Sequence, residues 1–506
     1  MGKFYLTTAI DYINARPHIG HALEKIGTDV FARWKRMCGH EVLFLTGTDE
    51  HSLNIQRQAE AKGITPHEFC NSMVEDWKKT WAQLGISYDQ FIRTTDPQHE
   101  RAVAALFTKI QEAGHLYVND YEGLYCPSCE NFYTEKDAPN LQCPTHQRPL
   151  EMVKEKNYYF RLSSFEPQLR KLIESGEFVI EPVMRRNEIL GLLNEGLRDI
   201  SFTRASVKWG VPCPIAPEQT IWVWFDALTN YISAIGYPND SARVGKWWPA
   251  DVHVIGKDIT RFHCVIWPAM LLAAGLSCPR KVFAHGFVTV DGEKLSKTRG
   301  NVVEPQEVVA RYGVDAFRYF LLREVPFDGD GDFSWSKFEQ RYNSELANDL
   351  GNFINRTVAM IHRYRKGCVP ERANISSQND EICTLAESTC QRYSAQMDQL
   401  GFHDALATIW KFVQFCNGYI ERMAPWSLAK KPDKSAELSA LLYQLAEATR
   451  LISVLLEPFL PETSKKMVAQ LGLAPNQAGF AGAKWGLLAP GTILAQPSPL
   501  FPKKSQ

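Results

Sequence analysis

Close to its amino terminus the chain contains Arg-Pro-His-Ile-Gly-His at residues 16–21, between a β-rich segment and a long helical pattern. The β-rich segment spans residues 4–9, and the helical pattern spans residues 18–37 and is stopped by Gly39. Where a parallel strand leads into a helix N-terminus, free backbone N–H groups point outward and can bind phosphate. The stretch therefore predicts the first strand–helix unit of a doubly wound sheet with a phosphate site at this junction.

The rest of the amino-terminal half continues this alternation. Residues 41–46 (Glu-Val-Leu-Phe-Leu-Thr) form a short apolar run typical of a strand that is covered on both faces. The later helix and strand segments are 66–84, 97–112, 253–255, 262–274 and 281–285. The order predicts a parallel, doubly wound (Rossmann-like) α/β sheet. It is interrupted by an insertion at residues 116–217 that is rich in Cys, Pro, Asn and charge.

The strand patterns stop at about Trp335, and helical periods follow. The helical segments are 338–365, 381–400, 404–421 and 437–456. They predict an all-α helix bundle, and the four prolines of residues 490–506 predict a loose tail. The predicted divisions are the two halves of the α/β sheet domain (1–115 and 218–290), the insertion (116–217), a basic-loop region (291–335), the bundle (336–489) and the tail (490–506).

Composition limits the class of protein. A chain of 506 residues predicts about three domains at roughly 150 residues each. Lys and Arg total 56 against 57 Asp and Glu, so the net charge of −1 excludes a protein that is basic throughout but allows a local nucleic-acid surface. The chain has no uninterrupted apolar run of about 18 residues and no signal-peptide pattern, which predicts no membrane span. Its 12 cysteines are too sparse for a disulfide scaffold and favour the cytoplasm.

Two histidines open the first long helix. His18 and His21 are three residues apart and share a helix face with Glu24. Imidazole N–H groups on that face can donate to phosphate oxygens, and Gly20 lets a nucleotide approach the backbone closely. Taken alone, such a pair is more often a helix cap or a surface feature, so its meaning depends on a second motif.

That second motif is Lys-Leu-Ser-Lys-Thr at residues 294–298. It follows Asp291-Gly292, a dipeptide that indicates a tight hairpin turn. Two lysines and two hydroxyl groups in one loop can clamp a triphosphate. By itself a basic run of five residues is usually a solvated loop, so the two motifs have to be weighed together.

A third motif contains paired metal-ligand residues. Cys126-Pro-Ser-Cys129 and Cys143-Pro-Thr-His146 are separated by thirteen residues. Thiolates and an imidazole at these short spacings suit one tetrahedral Zn²⁺. Four protein ligands leave no open coordination position, which predicts a structural rather than a catalytic zinc.

The His-Ile-Gly-His and Lys-Leu-Ser-Lys-Thr motifs together resemble the paired signatures of class I aminoacyl-tRNA synthetases. To about residue 470 the chain resembles the methionyl-tRNA synthetase family, in its single-knuckle zinc subtype. Leu295 and Thr298 depart from the commonest form, Lys-Met-Ser-Lys-Ser, but keep an apolar anchor and a hydroxyl. The resemblance implies that ATP, with Mg²⁺, activates L-methionine to methionyl-adenylate, and that methionine is then transferred to the 3′ end of tRNA(Met).

The resemblance also assigns residues. The implied catalytic residues are His18, His21, Lys294 and Lys297, and the implied ATP-binding residues are Gly20, His21, Glu24, Gly256, Asp258, Leu295 and Lys297. The implied methionine pocket is Ala9, Ile10, Tyr12, Asp49, Trp224, Ala227, Leu228, Tyr231, Phe262, His263 and Trp267, with Asp49 accepting from the ammonium group. The implied anticodon readers are Asn352, Arg356 and Trp426. Leu228 stands where many relatives have proline, and Trp426 taken alone favours a core position.

Other functions fit less well. The leucine, isoleucine and valine enzymes carry an editing domain that an insertion of about 100 residues cannot hold. A cysteine enzyme would place zinc in the amino-acid pocket. A small nucleotidyltransferase would not need the helix bundle, and a non-catalytic tRNA-binding protein would not need both signature loops. A dimerisation module found in some relatives does not follow the bundle, which favours a monomer.

Overall fold

The computed structural model of the chain describes residues 2–126, 131–133, 138, 140–144, 148–294, 302–372 and 381–503. In that part of the chain the strands β1 to β17 are, in order, Lys3–Thr8, Asp11–Tyr12, Glu41–Asp49, Gln90–Arg93, Leu116–Cys126, Asn131–Tyr133, Glu151–Phe160, Val179–Glu181, Ile200–Ser201, Thr203–Arg204, Pro212–Cys213, Ala216–Ile221, Val252–Gly256, Lys281–His285, Val288–Val290, Glu293–Lys294 and Gly331–Phe333.

Over the same described ranges the helices α1 to α18 are Ile19–Met37, Leu53–Ala61, Pro66–Gln83, Pro97–Glu112, Glu166–Ser175, Val183–Asn194, Val223–Ser233, Ser241–Trp247, Trp267–Ala273, Pro305–Tyr312, Val314–Glu324, Trp335–Arg341, Asn352–Arg365, Glu381–Asp398, Phe402–Met423, Pro425–Leu428, Ser435–Leu456 and Pro461–Gln470. Two π-helical segments, Phe262–Ile266 and Tyr342–Gly351, lead into α9 and α13.

The main sheet is parallel. Its strands lie in the order β2-β3-β1-β13-β14-β8, with β4 beside β3. The central strand β1 is flanked on both sides, with Tyr5 opposite Leu43 and Leu6 opposite Val252. Tyr5 and Leu6 are fully buried because helices cover both faces of the sheet. The predicted Rossmann-like fold class is confirmed.

The predicted insertion contributes to this sheet. Strand β8, Val179–Glu181, lies inside the predicted insertion but pairs in parallel with β14 at the edge of the main sheet. The preceding part forms a separate antiparallel sheet in which β5 pairs with β7, from Leu116 opposite Phe160 onward. The predicted boundary at residue 217 is therefore not a boundary of the sheet, because a short strand without strong alternation gives no local sign of its partner.

One predicted helix differs in its geometry. Residues 262–274 were expected to be a single apolar helix, but Phe262–Ile266 is π-helical and only Trp267–Ala273 is α-helical. The backbone N–H of Trp267 donates to the carbonyl of Phe262, five residues back. Pro268 has no N–H to donate to the carbonyl four residues before it, so the regular α-helical ladder is interrupted here.

The bundle surrounds one apolar helix. The segment Pro432–Leu456 is the only one among the described residues that is long and apolar enough to cross a membrane, and 94% of its most apolar window is buried inside the protein. It packs against α13, α14, α15 and α18. This burial is typical of a core helix, whose apolar surface is covered by its neighbours.

The carboxyl-terminal tail is packed rather than loose. Residues 490–503 contain neither helix nor strand, as their prolines predict, but Leu494 and Leu500 are buried in the core of the bundle. Val369 N–H donates to Thr492 O at 2.9 Å, and Leu494 N–H donates to Gly367 O at 2.8 Å. The expectation of a loose tail is thus wrong for these residues, because apolar side chains and backbone hydrogen bonds hold an irregular segment in place.

Candidate active site

The site lies at one edge of the parallel sheet. All carboxyl ends of parallel strands meet at the same edge, so the ends of β1, β3, β13 and β14 are neighbours. Gly256 at the end of β13 lies opposite His285 at the end of β14, and Tyr12 lies opposite Asp49 at the end of β3. Ala9 continues β1, and its N–H donates to Val254 O at 3.1 Å.

His18 and His21 cap α1. The Nδ1 atom of His18 accepts from Gly20 N–H at 3.1 Å, and the Nδ1 atom of His21 accepts from His18 N–H at 3.2 Å. The two rings stack with centroids 3.8 Å apart, and the edge of His21 contacts Trp77 at 4.9 Å. An Nδ1 that accepts carries no proton, so each neutral ring has its N–H at Nε2. The histidines are therefore both a helix cap and a pair of Nε2 donors.

The hairpin before the basic loop has the predicted turn. Strands β15 and β16 are antiparallel, and Asp291 and Gly292 between them adopt φ values of 51° and 78°, which a tight primed turn requires. Thr289 Oγ1 and Gly292 N–H both donate to Asp332 Oδ1 at 2.7 Å. Lys294 ends β16. Leu295 and Lys297 lie outside the described residues.

The chain re-enters the described part beside α1. The N–H of Ile19, the first residue of α1, donates to the carbonyl of Val303 at 3.2 Å. Residues 295–301 are therefore bounded by two fixed points, the hairpin at Lys294 and the start of α1. Val303, which follows the undescribed segment, therefore lies beside the helix start that carries His18 and His21.

A buried lysine of α1, Lys25, connects this helix to the end of β1. It was not predicted from the sequence. Lys25, fully buried, donates to Ala9 O at 3.1 Å, Asp11 Oδ1 at 3.0 Å and Glu24 Oε1 at 2.7 Å. Glu24 Oε2 lies 3.1 Å from His285 Nε2. Burial raises the pKa of Asp11 to about 7 in spite of the lysine. At Glu24 burial also acts to raise the pKa, but Lys25 and His285 together outweigh it and lower the pKa. The sequence offers little signal for Lys25, because the residues one turn away, His21, Ala22, Thr28 and Asp29, are mostly polar.

Gly256 leaves room for a neighbouring carboxylate. A Cβ atom at this position would lie 2.7 Å from Asp258 Oδ1. Glycine therefore allows the Asp258 carboxylate to fold back over the end of β13. Gly256 lies opposite His285 in the sheet, and His285 contacts Glu24. Three of the predicted ATP-binding residues, Glu24, Gly256 and Asp258, therefore lie at the same edge.

An aromatic wall faces this edge from α7 and the π-helical segment. Trp224 and Phe262 stack in parallel, with ring centroids 3.7 Å apart and an interplanar angle of 3°. Tyr231 stacks on His253 at 4.1 Å and lies 6.0 Å from Trp267. The remaining members that pack on or within the same apolar cluster are Ala9, Ile10 and Leu228. The structure thus brings together residues as far apart in the sequence as Ala9 and Trp267.

His263 is neutral in this wall. Its Nδ1 lies 3.0 Å from Ile259 O, a pure acceptor, so Nδ1 carries the proton, and Nε2 accepts from the Tyr231 hydroxyl at 2.7 Å. Burial lowers the pKa of His263 to about 4. The ring therefore presents a fixed tautomer that orients the Tyr231 hydroxyl.

The segment that carries Asp49 is held by a buried carboxylate. Both oxygens of Glu50 accept from Arg93 at 2.8 Å, and the hydroxyls of Thr48 and Thr95 each donate to it at 2.6 Å. Such bidentate, charge-assisted hydrogen bonds fix geometry strongly. Glu50 was not singled out from the sequence, because its partner Arg93 comes from the next strand of the sheet.

Two of the four candidate zinc residues, Cys126 and Cys143, lie in the described part of the insertion. Cys126 ends β5, and Cys143 lies in a tight loop where its N–H donates to Arg148 O at 2.8 Å. Leu141 in this loop adopts φ 53°, and both cysteines are buried. Buried thiols, one at the end of a strand and one in a loop of the same insertion, are ligand types that suit a soft metal. Cys129 and His146 lie outside the described residues, and the described residues alone form no cluster of three metal-ligand side chains.

The candidate anticodon residues share one end of the bundle. Arg356 of α13 pairs with Glu421 of α15, with 2.7 Å between Nη2 and Oε1. Three residues after Glu421, Ala424 adopts a left-handed conformation that redirects the chain, and Trp426 follows with 40% of its side chain exposed. Asn352 is exposed one turn before Arg356. The alternative that Trp426 is a core residue is therefore contradicted.

Comparison with known proteins identifies the family. The model of class I tRNA synthetases (M) matches residues 4–151 and 140–358, and the anticodon binding domain of methionyl tRNA ligase matches residues 369–506. The chain is 46% identical over 501 residues to the methionine–tRNA ligase of Caldanaerobacter subterraneus subsp. tengcongensis, which covers 99% of this chain and 78% of the relative. The chain belongs to the methionyl-tRNA synthetase family.

Further relatives agree with this membership. The methionine–tRNA ligase of Thermotoga maritima is 42% identical over 505 residues, 99% of this chain and 80% of its own. The methionyl-tRNA synthetase of Mycobacterium tuberculosis in complex with methionyl-adenylate superposes with a TM-score of 0.96 at 39% identity, covering 99% of this chain and 100% of that one. The predicted family and enzyme class, a methionine–tRNA ligase, are confirmed.

Proposed function

We propose that this methionyl-tRNA synthetase forms methionyl-adenylate at the carboxyl edge of its parallel sheet and then transfers methionine to tRNA(Met). The observation that carries the proposal is the convergence at that edge of the His18/His21 cap, the end of β3 at Asp49 and the stacked pair Trp224–Phe262. The related Mycobacterium tuberculosis protein binds methionyl-adenylate and has the same fold.

The chemistry needs no protein nucleophile. A carboxylate oxygen of methionine attacks the α-phosphorus of ATP, and the bond from that phosphorus to the bridging oxygen breaks as pyrophosphate leaves. The Nε2–H groups of His18 and His21 would donate to phosphate oxygens as negative charge develops. Lys294 and Lys297 would hold the departing phosphates, and Mg²⁺ bound to ATP supplies further charge compensation.

The assignment of the ATP side follows the same edge. Gly20 and His21 at the start of α1, Glu24, Gly256, Asp258 and the loop residues Leu295 and Lys297 form the proposed nucleotide site. Lys25 supports it indirectly, because it fixes Glu24 against the end of β1. A hydroxyl of the 3′-terminal tRNA nucleotide then attacks the methionyl carbonyl, and AMP leaves.

The proposed methionine pocket combines one charge with a ring of apolar surfaces. Asp49 would accept from the ammonium group, and the aromatic wall would surround the thioether, which is flexible and polarisable. The pocket residues are Ala9, Ile10, Tyr12, Trp224, Ala227, Leu228, Tyr231, Phe262, His263 and Trp267. The Tyr231 hydroxyl donates to the neutral His263 ring and is therefore a polar group of fixed orientation inside this otherwise apolar pocket.

A structural Zn²⁺ held by Cys126, Cys129, Cys143 and His146 belongs to the proposal, supported by the burial of Cys126 and Cys143. The metal would connect the loop ends of the insertion.

Asn352, Arg356 and Trp426 would bind the anticodon, supported by the exposure of Trp426. The sparse cysteines fit a cytoplasmic enzyme, and we propose that it acts as a monomer.

The phosphate role is tested with Lys297→Ala. Pyrophosphate exchange driven by methionine should fall by about 10²-fold, as for loss of one preorganised charge donor, while methionine affinity stays constant. Lys246→Ala is the matched control, because Lys246 pairs with Glu41 at the amino end of β3, the opposite edge of the sheet. Near-normal exchange in Lys297→Ala would contradict the assignment. Leucine and cysteine should not support exchange.

A further inference from the structure

A buried carboxylate on α7 binds two histidines from two other elements. The Oδ2 atom of Asp226 accepts from His51 Nδ1 at 2.7 Å, and its Oδ1 accepts from His99 Nε2 at 2.8 Å. His99 Nδ1 lies 2.8 Å from the hydroxyl of Ser233, the last residue of α7. All three titratable side chains are buried. A carboxylate has only acceptors, so each histidine must present an N–H to it.

The position of this triad relates it to the methionine pocket. His51 is two residues after Asp49, the proposed ammonium acceptor, and Asp226 lies between Trp224 and Ala227 of the aromatic wall. His99 belongs to the first turn of α4, which packs along α7. The triad therefore joins the two sides of the pocket behind its lining.

The charges within the triad stabilise this connection. Burial alone would lower the pKa of His51, but the negative charge and the hydrogen bond of Asp226 outweigh it and raise the pKa. The two histidines likewise outweigh burial at Asp226 and lower its pKa to about 2. Two further carboxylates, Glu100 at 3.9 Å from Nε2 and Glu50, also raise the pKa of His51, and Trp209 packs against the ring.

We propose that Asp226 is a positioning residue for methionine: through His51 it holds the Asp49 segment at a fixed distance from the aromatic wall of α7. The inference rests on the methionine pocket proposed above. A substrate that must contact Asp49 with its ammonium and the wall with its thioether binds well only when this distance is preset. The ATP side, which lies on α1 and the ends of β13 and β14, does not depend on the triad.

Asp226→Asn is the informative substitution because it keeps size and shape. An amide offers one oxygen acceptor and one NH₂ donor, so it can satisfy one histidine but opposes the N–H of the other. In pyrophosphate exchange the KM for methionine should rise by about 10- to 100-fold, as expected when a buried charge-assisted hydrogen bond is lost. The KM for ATP and kcat at saturating methionine should stay within about twofold.

Three further variants separate the possible outcomes. His51→Gln should reproduce the rise in methionine KM, and should remain informative if Asp226→Asn fails to fold. Asp315→Asn is the matched control, since Asp315 is a buried carboxylate on α11 that accepts from Thr463 N–H and is distant from the pocket. It should change the melting temperature but not the KM for methionine.

The inference fails if folded Asp226→Asn and His51→Gln keep the wild-type KM for methionine, or if kcat and both KM values change together. Asp49→Asn, measured in the same assay, distinguishes that failure from failure of the pocket. If Asp49→Asn also keeps the wild-type KM for methionine, the proposed methionine pocket is wrong. If Asp49→Asn loses methionine binding while the triad variants do not, the pocket stands and Asp226 is only structural.

Discussion

His263 illustrates how surroundings decide the chemistry of a single residue. Its ring is buried, its Nδ1–H donates to Ile259 O, and its Nε2 accepts from the Tyr231 hydroxyl. Protonation would force two N–H groups into this arrangement and place a charge in an apolar wall. The pKa therefore falls from the ordinary 6.5 to about 4.

The lowered pKa predicts a pH dependence of stability. Below pH 6.5 the unfolded chain binds a proton at His263, whereas the folded protein does not until about pH 4. The free energy of unfolding should thus fall by about 3 kcal/mol between these pH values on account of this residue, and the contribution is complete above pH 6.5. Urea unfolding of wild type and His263→Gln at several pH values measures the difference.

The variant should lose less stability than wild type as the pH falls. His253, whose pKa is lowered first by burial and then by His263, is present in both proteins, so the larger part of its contribution, which comes from burial, is common to both curves. Parallel stability curves for the two proteins from pH 7 to pH 4 would contradict the proposed neutral state of His263.

At the scale of elements, hydrogen bonds made by helices fix the position of neighbouring groups. The start of α1 presents two Nε2–H groups because the Nδ1 atoms of His18 and His21 are used in the cap. The irregular segment just before the tail is held by α17: Glu447 accepts from the N–H groups of Gly486, Leu487 and Leu488 at 2.7 to 3.0 Å. In each case a helix fixes a segment that has no regular structure.

The zinc prediction belongs to this scale. Cys143→Ser should lose stoichiometric zinc and lower the melting temperature, because the binding energy of a closed metal site supports the fold around it. Zinc content by metal analysis and thermal unfolding are measured on the same preparation. Activity should fall only as far as the insertion is displaced.

Cys213→Ser is the matched control, since Cys213 is equally buried but lies on β11, away from the paired cysteines. It should retain zinc. Carefully prepared wild-type protein without zinc would refute the site, as would full zinc occupancy in Cys143→Ser.

At the scale of the whole molecule, one buried arginine connects the catalytic and helical parts. Arg318 of α11 donates to Asp29 of α1 at 2.7 Å and to the carbonyls of Leu84, Pro458 and Phe459 at 2.8 to 3.1 Å. Burial of both charges is tolerated because every partner is satisfied. The bundle that carries Trp426 is therefore docked on the catalytic sheet through a specific polar contact.

Separation of the two ends of the molecule predicts separable defects. Trp426→Ala should leave methionine-dependent pyrophosphate exchange unchanged, because it removes no group from the sheet edge. Aminoacylation kcat/KM should fall about 5- to 150-fold, the value of one base stacked on an aromatic ring. Arg356→Ala should behave similarly. Both assays are run on the same folded variant.

The tRNA provides the control for this prediction. With a tRNA whose anticodon is changed, wild type and Trp426→Ala should charge at nearly the same low rate, since the contact is already lost. Equal losses in exchange and in aminoacylation, together with a lower melting temperature, would show that Trp426 acts through the fold and would rule out anticodon stacking.

The local elements and the family could be predicted from the amino-acid sequence. Strand β1, helix α1 and its end at Gly39, the Asp291-Gly292 turn and the bundle helices all follow from apolar periodicity and from residues with special backbone preferences. The signature motifs are contiguous, so they could be recognised without knowing what lies beside them. The candidate site residues were found in this way, and their roles remain predictions.

Contacts between residues of different elements could not be predicted from the sequence and are seen only in the folded structure. The Glu24–His285 contact, the Arg93–Glu50 pair and the Asp226 triad each join elements that are separated in sequence, and no local pattern encodes such a partner. The same reason explains β8, whose place in the main sheet depends on β14, and the packed tail, which depends on the surface of the bundle. Local preference is a property of a few neighbouring residues, whereas burial and charge pairing are properties of the folded chain.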